Sequence, residues 1–250
     1  MHRLLFTADD FGLTDGVCAG IVKARCSGVL TRTSAMACVP GSLDLLRAWA
    51  PQFPGQIGAH LQLTDGRPCT DPSRIPSLVD ENGAFRGAKS LPRPFNPEEV
   101  ALEWRAQIEA LRGVGIQLSH IDSHHHVHRR PELFVVYRDL ARDFNFSART
   151  CAGRTTDLRA TGIRCADHCE TGFYSNDPSI NSLLQAVLRA KLKTPPGGLI
   201  EVVCHPGYVT EDLATRSVYV SPRQKELDIL TDADLTARLA KLSIELVDLQ

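Results

Sequence analysis

Aspartate and histidine, the residue types that hold divalent metal ions and move protons, recur in this chain at the ends of apolar segments. These residues are Asp9 and Asp10 after Leu4–Ala8, His60 within Gln56–Leu63, Asp122 and His124 after Ile116–Ile121, and His205 after Leu199–Cys204. A metal held by one carboxylate and two imidazoles keeps positions open for water, which is the equipment of a metal-assisted hydrolase. Such a hydrolase also needs a base and an acid, and the set is large enough to leave Asp9 and His205 spare for those roles.

The adjacent aspartates Asp9 and Asp10 can take different tasks. Neighbouring residues at a strand end point in different directions, so one can bind a metal while the other remains a free base. The alternative is a turn or helix-capping pair before Phe11 and Gly12, since aspartate is common in both places.

The segment from His120 to His128 contains five of the nine histidines of the chain. Neutral imidazole is the commonest metal ligand among side chains. A mononuclear catalytic site uses about three protein ligands, so the five histidines cannot all bind one ion. The roles of Asp122, His125, His126 and His128 therefore stay open, and a polar loop with chance histidines remains the alternative.

His60 lies inside an apolar segment, whereas His205 directly follows one. An imidazole inside an apolar strand needs a polar partner, so a core histidine bonded to a carbonyl is the competing interpretation of His60. His205 is followed by Pro206 and Gly207, which hold it in a fixed turn. A turn histidine without chemistry is its alternative, and its position at a fourth segment end favours a catalytic role.

Apolar runs alternate with amphipathic segments along the chain, which predicts a parallel sheet with covering helices in a single domain, residues 1–250. The pattern alone does not separate a closed barrel from an open sheet. In either case the active site is expected at the carboxyl ends of the strands. We predict strands at Leu4–Ala8, Thr33–Val39, Gln56–Leu63, Ile116–Ile121, Leu199–Cys204 and Ile244–Val247, and helices at 15–27, 43–50, 97–111, 131–143, 182–192 and within 221–250.

Two segments do not fit the alternation. The stretch from Thr64 to Asn96 is rich in proline and glycine and too long for a plain connection, so we expect it to lie over the site and shape its pocket. The stretch from Phe144 to Gly172 gives no clear pattern of strand or helix.

The composition excludes several functions. The 28 lysines and arginines balance 29 aspartates and glutamates, and aromatic residues are 6% of the chain, so nothing indicates a nucleic-acid surface. No apolar stretch approaches the roughly 20 residues of a membrane span, and the start lacks a signal-peptide pattern, so we expect a cytoplasmic protein without membrane contact. The eight cysteines are scattered without a C-x-x-C pair and are expected to be reduced.

Together, several motifs resemble the YdjC-like carbohydrate deacetylases, of which the chitooligosaccharide deacetylases are the nearest named group. The similar segments run nearly end to end and include Ala8–Leu13, Gly58–Leu61, His120–His128, Cys204–Gly207 and Glu226–Asp228. The resemblance implies an irregular, TIM-like (β/α) barrel and the removal of N-acetyl groups from an amino sugar or a chitooligosaccharide. It assigns Asp10, His60 and His124 as metal ligands and Asp9 as the base, with His205 as the candidate acid.

The family also includes proteins linked to hopanoid synthesis, so the motifs leave the sugar open. We expect one divalent ion, zinc or magnesium, although mixed imidazole and carboxylate ligands suit zinc, cobalt, nickel or manganese better than magnesium. The expected partner is a small N-acetylated sugar, and a homodimer is left open. A metal-dependent phosphodiesterase and a non-catalytic sugar-binding module on the same fold are the alternative functions.

Overall fold

Strands and helices alternate through most of the molecule in the computed structural model, which describes residues 1–87 and 95–247. The strands are β1 His2–Phe11, β2 Arg32–Ala35, β3 Ile57–Leu61, β4 Leu118–Ser123, β5 Ser147–Ala148, β6 His168–Glu170, β7 Leu199–Cys204 and β8 Ile244–Leu246. The α-helices are α1 Asp15–Ser27, α2 Ser42–Trp49, α3 Pro97–Gly113, α4 Pro131–Asp143, α5 Thr155–Ala160, α6 Ile180–Leu192, α7 Leu213–Arg216, α8 Ser221–Leu230 and α9 Leu235–Lys241. Short 3-10 helices lie at Ala50–Gln52, Pro72–Arg74 and His124–Arg129.

The strands form one parallel sheet whose order is β5-β4-β3-β2-β1-β7-β6, with β8 pairing alongside the start of β1. The sheet curls into a half-barrel and is consistent with a TIM-like (β/α) barrel, so the predicted fold class is confirmed. No helix in the described ranges is long and apolar enough to cross a bilayer.

Local sequence signals explain where the main helices begin. The side chain of Thr14 accepts a hydrogen bond from the amide of Val17 and caps α1. Asn96 caps α3 just before Pro97, and Ser179 forms a capping box at the start of α6. These polar caps satisfy amide groups that have no partner within the helix, so the predicted helix starts lie close to the observed ones.

One predicted strand is much shorter in the structure, and the stretch without a prediction contains three elements. The strand predicted at Thr33–Val39 ends at Ala35, after which the chain leaves the sheet and Met36 donates its amide hydrogen bond to Phe11. Residues 36–38 stay buried without a sheet partner of their own, so apolar character there reflects packing rather than pairing. The unassigned stretch from Phe144 to Gly172 contains β5, α5 and β6, each too short to give a periodic pattern.

The sheet register brings the polar strand ends to one edge. His60 of β3 lies directly beside Asp122 of β4. Ala8 of β1 pairs with Cys204, the last residue of β7, so Asp9 and His205, which follow them, lie at the same edge. The predicted strand Leu4–Ala8 extends to Phe11, so Asp9 and Asp10 lie within β1 rather than after it. The common edge at the carboxyl ends of the parallel strands is therefore where the candidate site forms.

The segment after β3 is not a simple surface loop. Ile75, Leu78, Val79 and Phe85 are buried in the main core, and Val79 and Phe85 form an antiparallel bridge. Asp65 and Gly66, at its start, face the large cavity at the sheet edge. Residues 88–94 of the predicted loop lie outside the described residues.

Candidate metal centre and active site

Three side chains from three strand ends converge at the edge of the sheet. Asp10 Oδ1 lies 3.5 Å from His60 Nε2 and 3.3 Å from His124 Nδ1, and one ligand atom from each residue lies within 4.8 Å of the others. Asp10 Oδ1 is buried and makes no well-directed hydrogen bond. A buried carboxylate oxygen facing two imidazole nitrogens is a donor set suited to a divalent cation.

The backbone turns Asp10 away from its neighbour Asp9. Asp10 has a φ of 69°, in the left-handed region, and the pairing of β1 with β2 shifts register between Ala8 and Phe11. Aspartate tolerates this conformation better than most residues because its short polar chain can bond locally. The two adjacent carboxylates consequently point to different partners, as the sequence predicted.

Arg223 from α8 holds the second oxygen of Asp10. Its Nη2 donates to Asp10 Oδ2 over 2.6 Å, and both groups are buried. Burial opposes ionisation, yet Arg223 and then His124 hold the pKa of Asp10 well below its usual range. Asp10 is therefore a carboxylate at neutral pH, with Oδ1 left to face the imidazoles.

His60 is oriented by Asp122. The Nδ1 atom of His60 lies 2.6 Å from Asp122 Oδ1, so Nδ1 donates to that carboxylate and Nε2 faces Asp10. Asp122 Oδ2 in turn accepts a hydrogen bond from Ser34 at 2.5 Å and forms an ion pair with Arg149 Nη2 at 2.7 Å. A carboxylate behind an imidazole is the usual way in which a metal-binding histidine is fixed.

His124 bridges two carboxylates. Its Nδ1 faces Asp10, and its Nε2 lies 3.4 Å from Asp65 Oδ2. Burial disfavours the charged ring, but the neighbouring carboxylates of Asp10 and Asp65 raise the pKa of His124 to about 9. A cation bound at this position would displace that proton, because only neutral imidazole binds a metal.

Behind these residues lies a second cluster, organised by the fully buried Arg149. Its Nη1 and Nη2 donate to the two oxygens of Asp9 over 2.8 and 2.7 Å, and its Nε donates to Glu201 over 2.9 Å. Arg32 makes a further 3.1 Å ion pair with Glu201. The guanidinium groups compensate carboxylates that could not remain ionised in the core alone.

Asp9 therefore stands between the two clusters. Its Oδ2 lies 3.9 Å from His60 Nε2, and its side chain borders the cavity. Burial raises the pKa of Asp9, while Arg149 acts in the opposite direction. A carboxylate with a raised pKa, fixed by Arg149 beside the candidate metal position, is equipped to accept a proton from water.

His205 reaches the same cavity from the other side. Its backbone amide donates to Glu226 over 2.5 Å, and its ring makes edge contacts with Tyr174 and Tyr219 at centroid distances of 5.3 and 5.7 Å. Its Nδ1 is buried without a hydrogen-bond partner. Burial lowers the pKa of His205 to about 3, so its ring is neutral at neutral pH in this arrangement.

The other histidines of the 120–128 run have distinct environments. His128 is buried, with Nδ1 2.6 Å from Ser123 Oγ and its ring stacked on Tyr137, which indicates a structural role. His125 is half-exposed and contacts Thr64 through Nδ1. His126 borders the cavity, and its buried Nδ1 has no partner.

These groups surround a cavity of about 920 Å³ at the carboxyl edge of the sheet. Its lining includes Asp9, Asp10, His60, His124 and His205, together with His126, Tyr174, Tyr219 and Arg216. The structure thus brings all five predicted site residues to one cavity, with Asp10, His60 and His124 forming the candidate ligand set.

Several residues of the site were not found from the sequence. Arg149 lies in the stretch that gave no pattern, and Glu226 was noted only within a similar segment. The signal that could have found Arg149 is Glu201, since a glutamate inside the apolar strand β7 requires a buried cation. Arg223 could have been inferred in the same way from the paired charges of Asp9 and Asp10.

A two-ion centre has little support in this geometry. Among the described residues, the other groups of potential ligands that contain a histidine are Asp9–His60–Asp122 and Asp65–His124–His125. Each shares a histidine with the first group, and Asp9 and Asp122 already bind Arg149. Asp10, His60 and His124 are therefore the candidate ligand set that no guanidinium shares on its inward-facing oxygen.

The chain is similar to known proteins over nearly its whole length. The family model described as YdjC-like protein matches residues 3–241. A carbohydrate deacetylase of Vibrio cholerae serotype O1 (strain M66-2) is 36% identical, covering 98% of this chain and 94% of that protein. Carbohydrate deacetylase 1 of Listeria innocua serovar 6a is 35% identical and covers 98% of both chains. A crystal structure from Enterococcus faecalis V583, described as a candidate cellobiose-phosphate cleavage protein, superposes with a TM-score of 0.86 at 32% identity, covering 99% of this chain and 97% of that one.

Proposed function

The chain belongs to the YdjC-like protein family, and we propose that it is a metal-dependent carbohydrate deacetylase that removes N-acetyl groups from an amino sugar. Relatives named carbohydrate deacetylase, at 35 to 36% identity over 98% of the chain, support the enzyme class. The observation that carries the metal-dependent mechanism is the open cluster of Asp10, His60 and His124, with Asp9 beside it.

The proposed metal ligands are Asp10, His60 and His124. A divalent ion there supplies a Lewis acid that polarises the acetamide carbonyl and lowers the pKa of water. Asp10 contributes the negative charge, and Asp122 keeps the Nε2 lone pair of His60 available. Binding an ion would leave the hydrogen bond from Arg223 to Asp10 and that between His60 and Asp122 unchanged.

Asp9 is the proposed base. Arg149 holds both of its oxygens, so the carboxylate cannot rotate away from the cavity. Deacetylation requires a proton to leave the attacking water, and Asp9 accepts it on an oxygen directed toward the site. A general base in a fixed position also avoids the entropy cost of orienting water and carboxylate during the reaction.

His205 is the proposed acid for the departing amine. Because its ring is neutral before the reaction, it must receive a proton within the cycle rather than carry one in from solution. The proton that Asp9 takes from water is the natural source. The contacts with Tyr174 and Tyr219 hold the ring at the wall of the cavity while this transfer occurs.

The proposed substrate is an N-acetylated amino sugar or a short chitooligosaccharide. A cavity of about 920 Å³ is at the upper end of the range for small-molecule sites, which suits more than one sugar ring. Tyr174 is 51% exposed at its rim and offers an aromatic face of the kind that packs against a sugar.

Acetate release tests the proposal directly. Protein stripped with chelator and reloaded with zinc, manganese, cobalt, nickel or magnesium would be assayed on N-acetylglucosamine and its β-1,4-linked dimer and trimer. We expect acetate only after reloading, and release slower by roughly 10²–10⁴-fold from the matched Asp9→Asn protein. Cleavage of a phosphodiester probe by the reloaded protein without acetate release would contradict it and favour the phosphodiesterase alternative. Sugar binding without turnover for any metal would favour a binding module.

The role of His205 has a separate test. We expect His205→Ala to retain metal and to lose turnover by roughly 10²–10⁴-fold, the usual contribution of a general acid. The loss should shrink for an activated acetyl ester, because its leaving group needs no proton. An equal loss for amide and ester would instead indicate that His205 positions the substrate, and loss of metal would make it a ligand.

A further inference from the structure

A pair of cysteines lies beside the cavity, separate from the candidate metal ligands. The sulfur atoms of Cys38 and Cys69 are 3.9 Å apart, although the residues are 31 positions apart in the sequence. Cys38 is buried in the segment that follows β2, and Cys69 is exposed in the segment that follows β3. The pair therefore joins two connections that leave neighbouring strands.

Glu103 of α3 contacts both cysteines and fixes their relative position. Its Oε1 accepts hydrogen bonds from the backbone amide of Cys69 at 3.0 Å and from the side-chain amide of Gln107 at 2.8 Å. Cys38 Sγ lies 3.6 Å from the same oxygen. Its Oε2 accepts the amide of Thr70 at 2.9 Å. The backbone of Cys69 is thus pinned to a buried carboxylate, which keeps its sulfur close to that of Cys38.

These contacts favour a thiol pair over a second metal site. Cys38, Cys69 and Glu103 are close enough to share an ion, but both oxygens of Glu103 already accept hydrogen bonds. Burial, together with Cys69 and Glu103, raises the pKa of Cys38 well above its usual range. A thiol held protonated in this way attacks more slowly, which leaves the exposed Cys69 as the sulfur that reacts first.

We propose that Cys38 and Cys69 form a reversible disulfide, with the exposed Cys69 as the sulfur that reacts first. With glutathione disulfide as oxidant, the Cys69 thiolate attacks one sulfur, and one glutathione leaves as the thiol. Cys38 then loses its proton to water and attacks Cys69 Sγ, and the second glutathione leaves. Two protein thiols are oxidised to one disulfide while glutathione disulfide is reduced to two thiols.

The bond would join two walls of the cavity. Met36 and Val39 flank Cys38, and Asp65 and Gly66 precede Cys69 at the start of its loop; all four line the cavity. The amide of Arg67 already donates to the carbonyl of Cys38 over 3.0 Å. A Cys38–Cys69 disulfide would add a covalent link between these two segments and restrict the one that carries Asp65, the carboxylate next to His124.

Thiol counting under a glutathione redox buffer tests the pairing without any assay of deacetylation. The full chain would be equilibrated, quenched with acid, denatured, alkylated and mapped by mass spectrometry. We expect the wild type to lose two of its eight thiols and to yield a linked Cys38–Cys69 peptide. Closing a loop of this length should also raise the unfolding temperature by roughly 5–10 °C relative to the reduced protein.

Two matched variants make the result specific. Cys26 is exposed like Cys69, so Cys26→Ser should still form the linked peptide and show the same shift in unfolding temperature. Cys69→Ser should keep its remaining thiols and show no shift. A glutathione adduct that persists on Cys69, wild-type thiols that remain free, or a disulfide that survives in Cys69→Ser would each overturn the proposal.

Discussion

Two carboxylate–imidazole clusters meet at His60, and they differ in what neutralises their charge. On the cavity side, Asp10 faces His60 and His124 with an oxygen that makes no well-directed hydrogen bond. On the core side, Asp9 and Asp122 flank the same imidazole but are bonded to Arg149. Residue types alone would allow a metal in either cluster.

The difference shows which property of a carboxylate cluster determines whether it can bind a cation. The core cluster already contains its cation, in the form of a guanidinium, and every oxygen of Asp9 and Asp122 has a partner. In the cavity cluster, Arg223 donates a hydrogen bond to Asp10 Oδ2 and leaves Asp10 Oδ1 available. Proximity of acidic groups is therefore a weaker criterion for a metal site than an unsatisfied oxygen.

The largest expected effect is that of His124→Ala, which breaks the cavity cluster. We expect metal affinity to fall by more than roughly 100-fold and turnover to vanish with it, since altering groups behind the ligands already costs 10- to 100-fold. Calorimetric titration of chelator-stripped protein with Zn²⁺ would measure this. The matched control is His125→Ala, which should bind the metal nearly as wild type does. Loss of the metal in His125→Ala, but not in His124→Ala, would move the ion toward Asp65.

Arg149→Met should break the core cluster. Removing the guanidinium leaves Asp9, Asp122 and Glu201 without their common cation, and uncompensated buried charges typically cost about 3–5 kcal/mol. Chemical denaturation would measure the free energy of unfolding. Arg105→Met, which removes an exposed ion pair with Asp143, should change it by less than about 1 kcal/mol. Equal effects of the two substitutions would contradict the role given to Arg149.

Asp9→Asn should separate catalysis, which needs Asp9 of the core cluster, from metal binding, which needs the cavity cluster. The amide cannot accept a proton, so we expect turnover to fall by roughly 10²–10⁴-fold while metal binding is retained. Metal content and acetate release would be measured on the same preparation. Arg149→Lys provides a comparison, since it keeps a buried positive charge but cannot hold both oxygens of Asp9. Full turnover of Asp9→Asn with metal bound would assign the base elsewhere.

The smallest expected effect is on the pH dependence of stability, and it depends on two buried glutamates, Glu201 and Glu226. Arg32 and Arg149 overcome burial and lower the pKa of Glu201 to about 2, whereas burial raises the pKa of Glu226 to about 7. Glu226 is bonded to the amide of His205 and the hydroxyl of Tyr219 rather than to a guanidinium.

The two glutamates therefore predict opposite pH dependences of stability. Between pH 4.5 and 7 the folded state binds a proton at Glu226 that the unfolded state has lost, so stability falls as the pH rises. Glu226→Gln should remove that fall, which amounts to at most about 3 kcal/mol. Glu201 acts in the other direction, since its contribution is present above pH 4.5 and is lost as the pH falls toward 2. Denaturation midpoints of Glu226→Gln that track wild type from pH 4.5 to 7 would contradict the raised pKa.

The sequence predicted the cavity cluster better than the core cluster, for a physical reason. Asp10, His60 and His124 each follow an apolar run whose length and composition mark a strand, and parallel strands bring their carboxyl ends together. Arg149 comes after β5, a strand of two residues, so no periodicity marked its position. The direction of Asp10 depends on a left-handed backbone turn, which composition does not encode.

The loop after β3 was expected to lie over the site, and its start does border the cavity at Asp65 and Gly66. Its proline and glycine content did not reveal that Ile75 and Leu78 are fully buried, so a deletion through them would remove part of the core as well. Turn-forming residues reveal where a chain bends but not whether the bends pack inward.

The central position of β1 has a consequence for the order of events during synthesis. The first strand pairs with β7, which ends at Cys204, and Asp10 binds Arg223. A ribosome must therefore synthesise the chain beyond residue 204 before β1 can pair with β7, and beyond residue 223 before Asp10 can bind Arg223. Until then β1 is an incompletely paired apolar strand that carries two acidic residues, and such exposed strands are prone to aggregate during synthesis. Contacts between segments so far apart in the sequence are also expected to slow folding.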